Sequence, residues 1–302
     1  MSTDSKWTTA SLPSSASLLP SLLLDLFAFN GPSHCAASQK AEEAVSLPPA
    51  CMQTRNALME LGKVDEDCLY LNILTPKALL CLRAKETEAT AGLPVMVFIH
   101  GGAYMVGDAS HFFKEEGLPA RNLVTRGVVL VSIQYRLGEI GAFGGNPDQV
   151  TLFGESAGAF STSLHTLSPL SQGLIQRAIL QSGTALSPMA VDGTLRQPST
   201  FAHSSRKVSV ASGCVNLDEW KRSDYGALLS CLRRLPAQEL LELAEKAVQL
   251  RLRGPCCAWA PMVDGPGGFL PDWPADLAAR PPGRRFPLLL GTNRDEWLFF
   301  NL

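Results

Sequence analysis

The stretch that decides the fold is QVTLFGESAG, residues 149–158. Residues 150–153 are apolar or β-branched, which predicts a short buried strand, and residues 157–164 are small or apolar, which favours a helix. The two glycines leave room for neighbouring backbone where the strand must bend sharply into the helix. Because Ser156 lies at the centre of this bend, the stretch predicts a nucleophile elbow, in which a strained serine projects from the carboxyl end of a strand.

The composition is that of a folded chain without strong charge. Of the 302 residues, 46% are hydrophobic and 18% are charged, which is enough apolar material for one large domain. A formal net charge of −2 argues against nucleic acid or an anionic membrane as a partner. No apolar run reaches the roughly 18 residues of a membrane span. The nearest, residues 18–29, is broken by Pro20 and Asp25, and it is not typical of a secretory signal.

The chain divides at about residue 48. Residues 1–48 are rich in Ser, Ala, Leu and Pro without a sustained period, which predicts a poorly ordered or irregular leader. Apolar runs without alternation, at 93–99 and 128–135, predict neighbouring parallel strands that are buried on both faces. Further strands are predicted from residue 69 onward and at 150–153, 178–181 and 286–291, and helices at 217–232 and 237–252.

The connection at residues 136–149 is unusual for such a sheet. Parallel neighbours are joined by a crossover that usually carries a helix. This segment has glycines at 138, 141, 144 and 145 and a proline at 147, so it is predicted not to be helical. We therefore expect the sheet face beneath this crossover to lack its cover.

Two turns after predicted strands carry candidate functional groups. In the turn His100-Gly101-Gly102-Ala103, paired glycines free backbone amides that can stabilise an oxyanion, although an ordinary glycine-rich turn has the same composition. Glu296 follows the strand at 286–291, at the sheet edge where α/β enzymes collect catalytic groups, with a solvated loop carboxylate as the alternative. Cys51 with Cys68 and Cys214 with Cys231 are spaced alike, and either disulfides or free thiols fit that spacing.

Six ordered motifs together resemble the type-B carboxylesterase and cholinesterase family, most closely its carboxylesterases and bile-salt-activated lipases. The motifs are EDCLYLN (66–72), HGGA (100–103), GNP (145–147), FGESAGA (153–159), QSG (181–183) and GTNRDE (291–296). The resemblance implies an α/β-hydrolase fold, with a mostly parallel sheet flanked by helices, that is incomplete in residues 49–302. It also implies hydrolysis of a small carboxylic ester through a serine, an acid and a histidine in that chain order.

The resemblance assigns a role to each matching residue. Ser156 matches the nucleophile and Glu296 the acid. The amides of Gly102, Ala103 and Ala157 match the oxyanion hole, with Gly101 supporting the turn. By the same resemblance Cys51 pairs with Cys68 and Cys214 with Cys231. Disulfides imply an oxidising compartment, either the secretory route or the lumen of the endoplasmic reticulum, with the cytoplasm as the alternative. Neither a cofactor nor a metal ion is expected, and the oligomeric state is not predicted.

The sequence departs from the family in three places. Residues 1–48 do not resemble the amino-terminal strands, the passage after residue 138 is shortened, and no residue matches the histidine, since the sequence ends six residues after Glu296. Each of the five histidines fails or is unsupported as the base. His165 lies on the far side of the predicted helix and His100 in the oxyanion turn, while the leader or unplaced loops hold His34, His111 and His203.

Two functions follow from these observations. The first is a serine carboxylic ester hydrolase that works through an acyl-enzyme. The alternative is an inactive truncated product or a non-catalytic binding or adhesion relative. We expect the 302-residue chain to hydrolyse esters barely above a Ser156→Ala control, because a serine without a base is a poor nucleophile.

Overall fold

A central sheet organises the part of the chain that the structure describes. The computed structural model describes residues 8–11, 47–53, 63–76, 92–110, 122–134, 145–192, 200–218, 220, 224–248, 259–280 and 287–296. Its strands are β1 Thr8–Ser11, β2 Ala50–Cys51, β3 Val64–Asp65, β4 Tyr70–Leu74, β5 Leu93–Ile99, β6 Val129–Ile133, β7 Gly145–Glu155, β8 Arg177–Gln181 and β9 Leu288–Gly291. Seven of them form one sheet in the order β1-β4-β6-β5-β7-β8-β9, while β2 and β3 pair separately.

The predicted parallel strands are confirmed. β6, β5, β7, β8 and β9 are all parallel, with Val95 opposite both Val129 of β6 and Val150 of β7. β4 joins β6 in the antiparallel sense and β1 joins β4 likewise, which the sequence does not predict. Strand β1 lies inside the 1–48 segment that is predicted to be irregular, and the domain boundary at residue 48 stays a prediction.

The helices are α1 Ala157–Leu167, α2 Thr200–Ala211, α3 Tyr225–Leu232, α4 Ala237–Val248 and α5 Pro274–Ala279, with a 3₁₀ turn at Pro169–Ser171. The helix predicted at 217–232 is too long, because it begins only at Tyr225. The cause is Asp224, whose carboxylate accepts hydrogen bonds from the backbone N–H groups of Gly226 and Ala227 and so caps the helix. None of the helices in the described ranges is long and apolar enough to cross a membrane.

The centre of the sheet is buried on both faces. β5 lies between β6 and β7, the two strands that the predicted connection joins. Val97 and Phe98 of β5 point to opposite faces, and they are only 0% and 7% exposed. The prediction that a sheet face lacks its cover is therefore wrong at β5. Residues 145–149 of the predicted connection belong to β7, and residues 135–144 lie outside the described ranges.

The exposed apolar side chains of the sheet lie instead on its edge strand β9. Leu288, Leu289 and Leu290 are 50%, 62% and 59% exposed. Two disulfides tie the flanking segments, as the resemblance implies. Cys51–Cys68 links β2 to the segment just before β4, and Cys214–Cys231 links the segment just after α2 to α3.

Candidate active site

Ser156 occupies the bend that the sequence predicts between β7 and α1. Its backbone angles are φ 54° and ψ −121°, a conformation that residues other than glycine rarely adopt. Two hydrogen bonds hold this conformation, because the Ser156 N–H donates to the Gln181 carbonyl and the Phe160 N–H donates to the Ser156 carbonyl, each at 2.9 Å. The strained serine is therefore fixed between the end of β8 and the first turn of α1.

Glycine is required on both sides of the serine. A Cβ atom at Gly158 would lie 2.1 Å from the Ile99 carbonyl oxygen, and one at Gly154 would lie 2.4 Å from the carbonyl carbon of Gly158. Both distances are too short for any side chain. The close approach of α1 to β5 that positions Ser156 thus depends on the two glycines of the elbow.

The turn after β5 lies directly against this elbow. A Cβ atom at Gly101 would lie 3.3 Å from Ser156 Cβ and 2.6 Å from Glu155 Oε2. Gly102, Ala103 and Tyr104 all have positive φ, at 114°, 55° and 57°. Glycine adopts such a φ freely, but Ala103 and Tyr104 are strained there, so the turn has to be held by its surroundings.

The strained turn leaves backbone donors available. The N–H groups of Met105 and Val106 donate to the Gly102 carbonyl at 2.9 Å and 3.0 Å. Within the described residues, the N–H groups of Gly102 and Ala103 donate to no protein acceptor. The N–H of Ala157, in the first turn of α1, also has no acceptor within its own helix. Of the amides that the resemblance assigns to an oxyanion hole, those of Gly102 and Ala103 have no acceptor among the described residues, and that of Ala157 directly follows Ser156.

Glu296 is held by two donors on one carboxylate oxygen. Ser182 Oγ donates a short hydrogen bond to Glu296 Oε1, and the backbone N–H of Asn293 donates to the same oxygen at 2.6 Å. The Ser182 hydroxyl, followed by the Asn293 N–H, lowers the pKa of Glu296. In the described part of the chain Oε2 accepts no hydrogen bond. Glu296 therefore stays ionised and keeps one oxygen for another partner.

Two residues around Glu296 are not predicted from the sequence. Ser182 is the first, because the motif QSG that contains it supports the resemblance without indicating a role for its hydroxyl. Glu155 is the second, since desolvation raises its pKa and the charge of the nearby Glu296 raises it further. Two carboxylates at the carboxyl end of β7 and after β9 thus share one region beside Ser156.

Neither histidine whose side chain the structure describes faces Ser156 as a free base. His100 is buried, with Nδ1 2.8 Å from the Gly101 carbonyl and Nε2 3.0 Å from Gln134 Oε1. His165 is buried in the last turn of α1, with Nδ1 2.8 Å from Ser171 Oγ, and burial lowers its pKa to about 3. The side chains of His34, His111 and His203 lie outside the described part of the chain.

The described residues contain no group of three or more His, Cys, Asp or Glu side chains that could hold a metal ion. A mostly parallel sheet, flanking helices and a serine at a strand-to-helix elbow define an α/β-hydrolase fold. The carboxylesterase family model matches residues 26–141 and 138–302, so the chain belongs to the carboxylesterase family. The two matched segments meet in the shortened passage after β6, and the first begins inside the predicted leader.

Individual relatives agree with this assignment. The chain is similar to acylcarnitine hydrolase of Mus musculus, with 34% identity over 83% of this chain and 46% of the relative. It is also similar to carboxylesterase 5A of Homo sapiens, with 32% identity over 89% of this chain and 48% of the relative. Bile salt-activated lipase of Mus musculus is 35% identical over 70% of this chain and 38% of the relative. The chain spans about half the length of the curated relatives it matches.

Proposed function

We propose that this chain carries the active site of a serine carboxylic ester hydrolase, with Ser156 as its nucleophile. The observation that carries the proposal is the strained elbow of Ser156, packed against a turn whose Gly102 and Ala103 amides have no acceptor among the described residues. A strained serine and nearby unpaired N–H groups are what acyl transfer needs, because negative charge develops on the carbonyl oxygen in the transition state.

The reaction follows from this arrangement in two halves. Ser156 Oγ forms a bond to the ester carbonyl carbon and gives its proton to a base, while the amides of Gly102, Ala103 and Ala157 donate to the oxyanion. The bond from that carbon to the alcohol oxygen then breaks, and the base returns the proton to the leaving alcohol. Water repeats the sequence on the acyl-enzyme and releases the acid.

Glu296 acts as the acid that orients the base. Its pKa is lowered by Ser182, so it is ionised at neutral pH, and its Oε2 is available to accept a hydrogen bond from an imidazole N–H. Neither His100 nor His165 is that base, because protein groups already contact His100 at both ring nitrogens and His165 is buried at the far end of α1.

One observation favours a second candidate function. Since neither of these two histidines can take the proton of Ser156, a chain that binds an ester without hydrolysing it remains a defined alternative. This class includes an inactive truncated product and a binding or adhesion relative. The two candidates differ in one measurable property, namely whether bound ester is turned over through Ser156.

The substrate class is a small carboxylic ester. The relatives are named for different esters, such as acylcarnitines and pyrethroids, so these names support the ester class without selecting one member. We also place the protein in an oxidising compartment, either secreted or in the lumen of the endoplasmic reticulum. Both disulfides support this location, because reducing compartments keep such thiols free.

Hydrolysis of a short-chain nitrophenyl ester tests the proposal. We expect slow turnover by the 302-residue chain that falls to the buffer rate in Ser156→Ala. Ser161→Ala is the matched control, because this serine lies on the same helix with its hydroxyl bonded to the Ala157 carbonyl, and its removal should leave the rate unchanged. Equal rates for the chain and Ser156→Ala, together with saturable binding of a ketone analogue, would establish the second candidate instead.

A further inference from the structure

Gln53 contacts the oxyanion turn from outside it. Its side chain is only 7% exposed, and it follows Cys51 of the Cys51–Cys68 disulfide by two residues. Gln53 Nε2 donates to the Gly107 carbonyl at 2.8 Å, and the Gly107 N–H donates to Gln53 Oε1 at 2.7 Å. One amide side chain therefore satisfies both backbone groups of Gly107, as a neighbouring strand would.

Gly107 is the residue at which the turn closes on itself. Its φ is 115°, and a Cβ atom there would lie 2.5 Å from His100 Nδ1 and 2.7 Å from the Gly101 carbonyl oxygen. The turn thus leaves β5 at His100 and returns against the same residue. Between the two ends lie Gly102 and the strained residues Ala103 and Tyr104.

A closed turn of this kind keeps its shape only while its end is held. Gly107 is buried, so loss of the Gln53 amide would leave a buried N–H and a buried carbonyl without partners. A buried polar group without a partner is unfavourable by about 1–3 kcal/mol, enough to drive the backbone toward water. Because Gly107 packs closely on the Gly101 carbonyl and Gly101 lies beside Ser156, movement of Gly107 would disturb the turn next to the serine.

We propose that Gln53 is a positioning residue that fixes the oxyanion turn through the backbone of Gly107. This inference rests on the proposed function for its effect on ester chemistry, but its effect on the turn does not depend on turnover. Gln53 acts through Gly107 and Gly101 and touches no reacting atom. It also links the segment held by the Cys51–Cys68 disulfide to the site.

The test compares two isosteric variants, Gln53→Met and Gln176→Met. Gln176 is a matched control, because its amide also bonds backbone, accepting from the Val150 N–H at 2.6 Å and donating to the Gly173 carbonyl at 3.2 Å. Val150 lies about 16 Å along β7 from its carboxyl end, far from the turn. Both variants lose hydrogen bonds between a side-chain amide and the backbone, but only Gln53→Met loses hydrogen bonds to the oxyanion turn.

Two readouts are measured on the full chain. Hydrogen exchange of the peptide that covers residues 101–107 should rise in Gln53→Met and stay unchanged in Gln176→Met. For phosphonylation of Ser156 by a fluorophosphonate, the maximal rate should fall about 10- to 100-fold in Gln53→Met with the half-saturating concentration unchanged, because a small misplacement of donors affects the transition state most.

The outcomes separate the two proposals. Unchanged exchange at 101–107 in Gln53→Met, or an equal rise in both variants, overturns the role of Gln53 whatever the ester chemistry. A local rise in a chain whose Ser156 never reacts supports the role of Gln53 and contradicts the proposed function. If Gln53→Met fails to fold, Gln53→Glu is compared with Gln176→Glu, because glutamate keeps the acceptor for the backbone N–H and replaces the amide donor with a second carboxyl oxygen.

Discussion

Ser182 Oγ donates a hydrogen bond to Glu296 Oε1, which joins the end of β8 to the loop after β9 across 114 residues of sequence. The Ser182 N–H also donates to the Gly291 carbonyl at 2.7 Å, so backbone and side chain bind the same neighbouring segment. The carboxylate of Glu296 is thereby held in place before any base or substrate arrives. Its lowered pKa is the electrostatic consequence of this contact.

Removal of the Ser182 hydroxyl should raise the pKa of Glu296. We expect Ser182→Ala to move the pKa toward its ordinary value and to lower Ser156 reactivity about tenfold, since a hydrogen bond to a charged group is lost. Carboxyl-carbon NMR titration measures the first effect and fluorophosphonate labelling the second.

Ser182→Gly separates the hydroxyl from the backbone. Ser182 has φ 57°, a conformation that glycine adopts freely and alanine does not. If the hydroxyl is what matters, both variants raise the pKa of Glu296 by the same amount. A Glu296 pKa in Ser182→Gly that stays as low as in the parent chain would show that the serine acts only through backbone geometry.

His165 should make stability depend on pH. It is buried and neutral with a pKa of about 3, whereas its ordinary value is 6.5. Below pH 6.5 the unfolded chain therefore binds a proton that the folded chain does not, and the free energy of unfolding falls as pH decreases toward 3. Between pH 6.5 and 4.5 the loss from this group is about 2 kcal/mol.

Urea unfolding at several pH values measures this dependence. Carboxylates also titrate near the lower end, so the informative quantity is the difference between the chain and His165→Gln. The variant should show a shallower decline between pH 6.5 and 4.5. Parallel curves for the two proteins would mean that His165 is already protonated, or accessible to water, in the folded state.

Both disulfides should form on oxidative refolding and stabilise the chain. Each spans 17 residues of sequence, for which the chain-entropy model gives about 3 kcal/mol per crosslink. Peptide mapping without reductant should recover Cys51 with Cys68 and Cys214 with Cys231. The double variant Cys214→Ser/Cys231→Ser should unfold at a lower urea concentration, and four free thiols in the refolded chain would contradict the pairing.

The exposed leucines of β9 should promote association. An edge strand with contiguous apolar side chains pairs readily with other chains, and a lysine on such an edge prevents this. We expect Leu289→Lys to lower hydrophobic-dye binding and the fraction of oligomer in sedimentation velocity. Leu217→Lys is the control, because Leu217 is 61% exposed and Leu289 is 62% exposed, but Leu217 lies in a turn rather than on an edge. Equal effects of the two changes would argue against β9 as the site of association.

The sequence predicts the elements whose cause is local. The elbow around Ser156 is predictable because a strand that bends at once into a helix needs glycines such as Gly154 and Gly158. β5 and the parallel strands beside it are also predictable, because their apolar runs are local patterns of the sequence. The start of β7 is not predictable in this way, because residues 145–149 have no apolar pattern and pair with β5 across a register shift near Leu93.

Contacts between distant residues could not be predicted from any local pattern. Ser182 has a role only because Glu296 lies next to it, and Gln53 only because Gly107 does. The prediction of an uncovered sheet face is wrong at β5 for a similar reason. The glycines of residues 136–149 argue against a helix there, but they do not indicate which other residues pack on the sheet. Burial of Val97 and Phe98 depends on the whole fold.

The most direct test of the account is the reactivity of Ser156 toward a fluorophosphonate, followed by intact mass with and without added imidazole. In this reaction Ser156 Oγ forms a bond to phosphorus, fluoride leaves, and imidazole accepts the proton. We expect one adduct on Ser156 that forms slowly alone and faster with imidazole, since neither His100 nor His165 supplies the base. Ser161→Ala should react like the parent chain and Ser156→Ala not at all. The absence of any adduct, or an adduct that persists in Ser156→Ala, would contradict the claim that this is a serine hydrolase site.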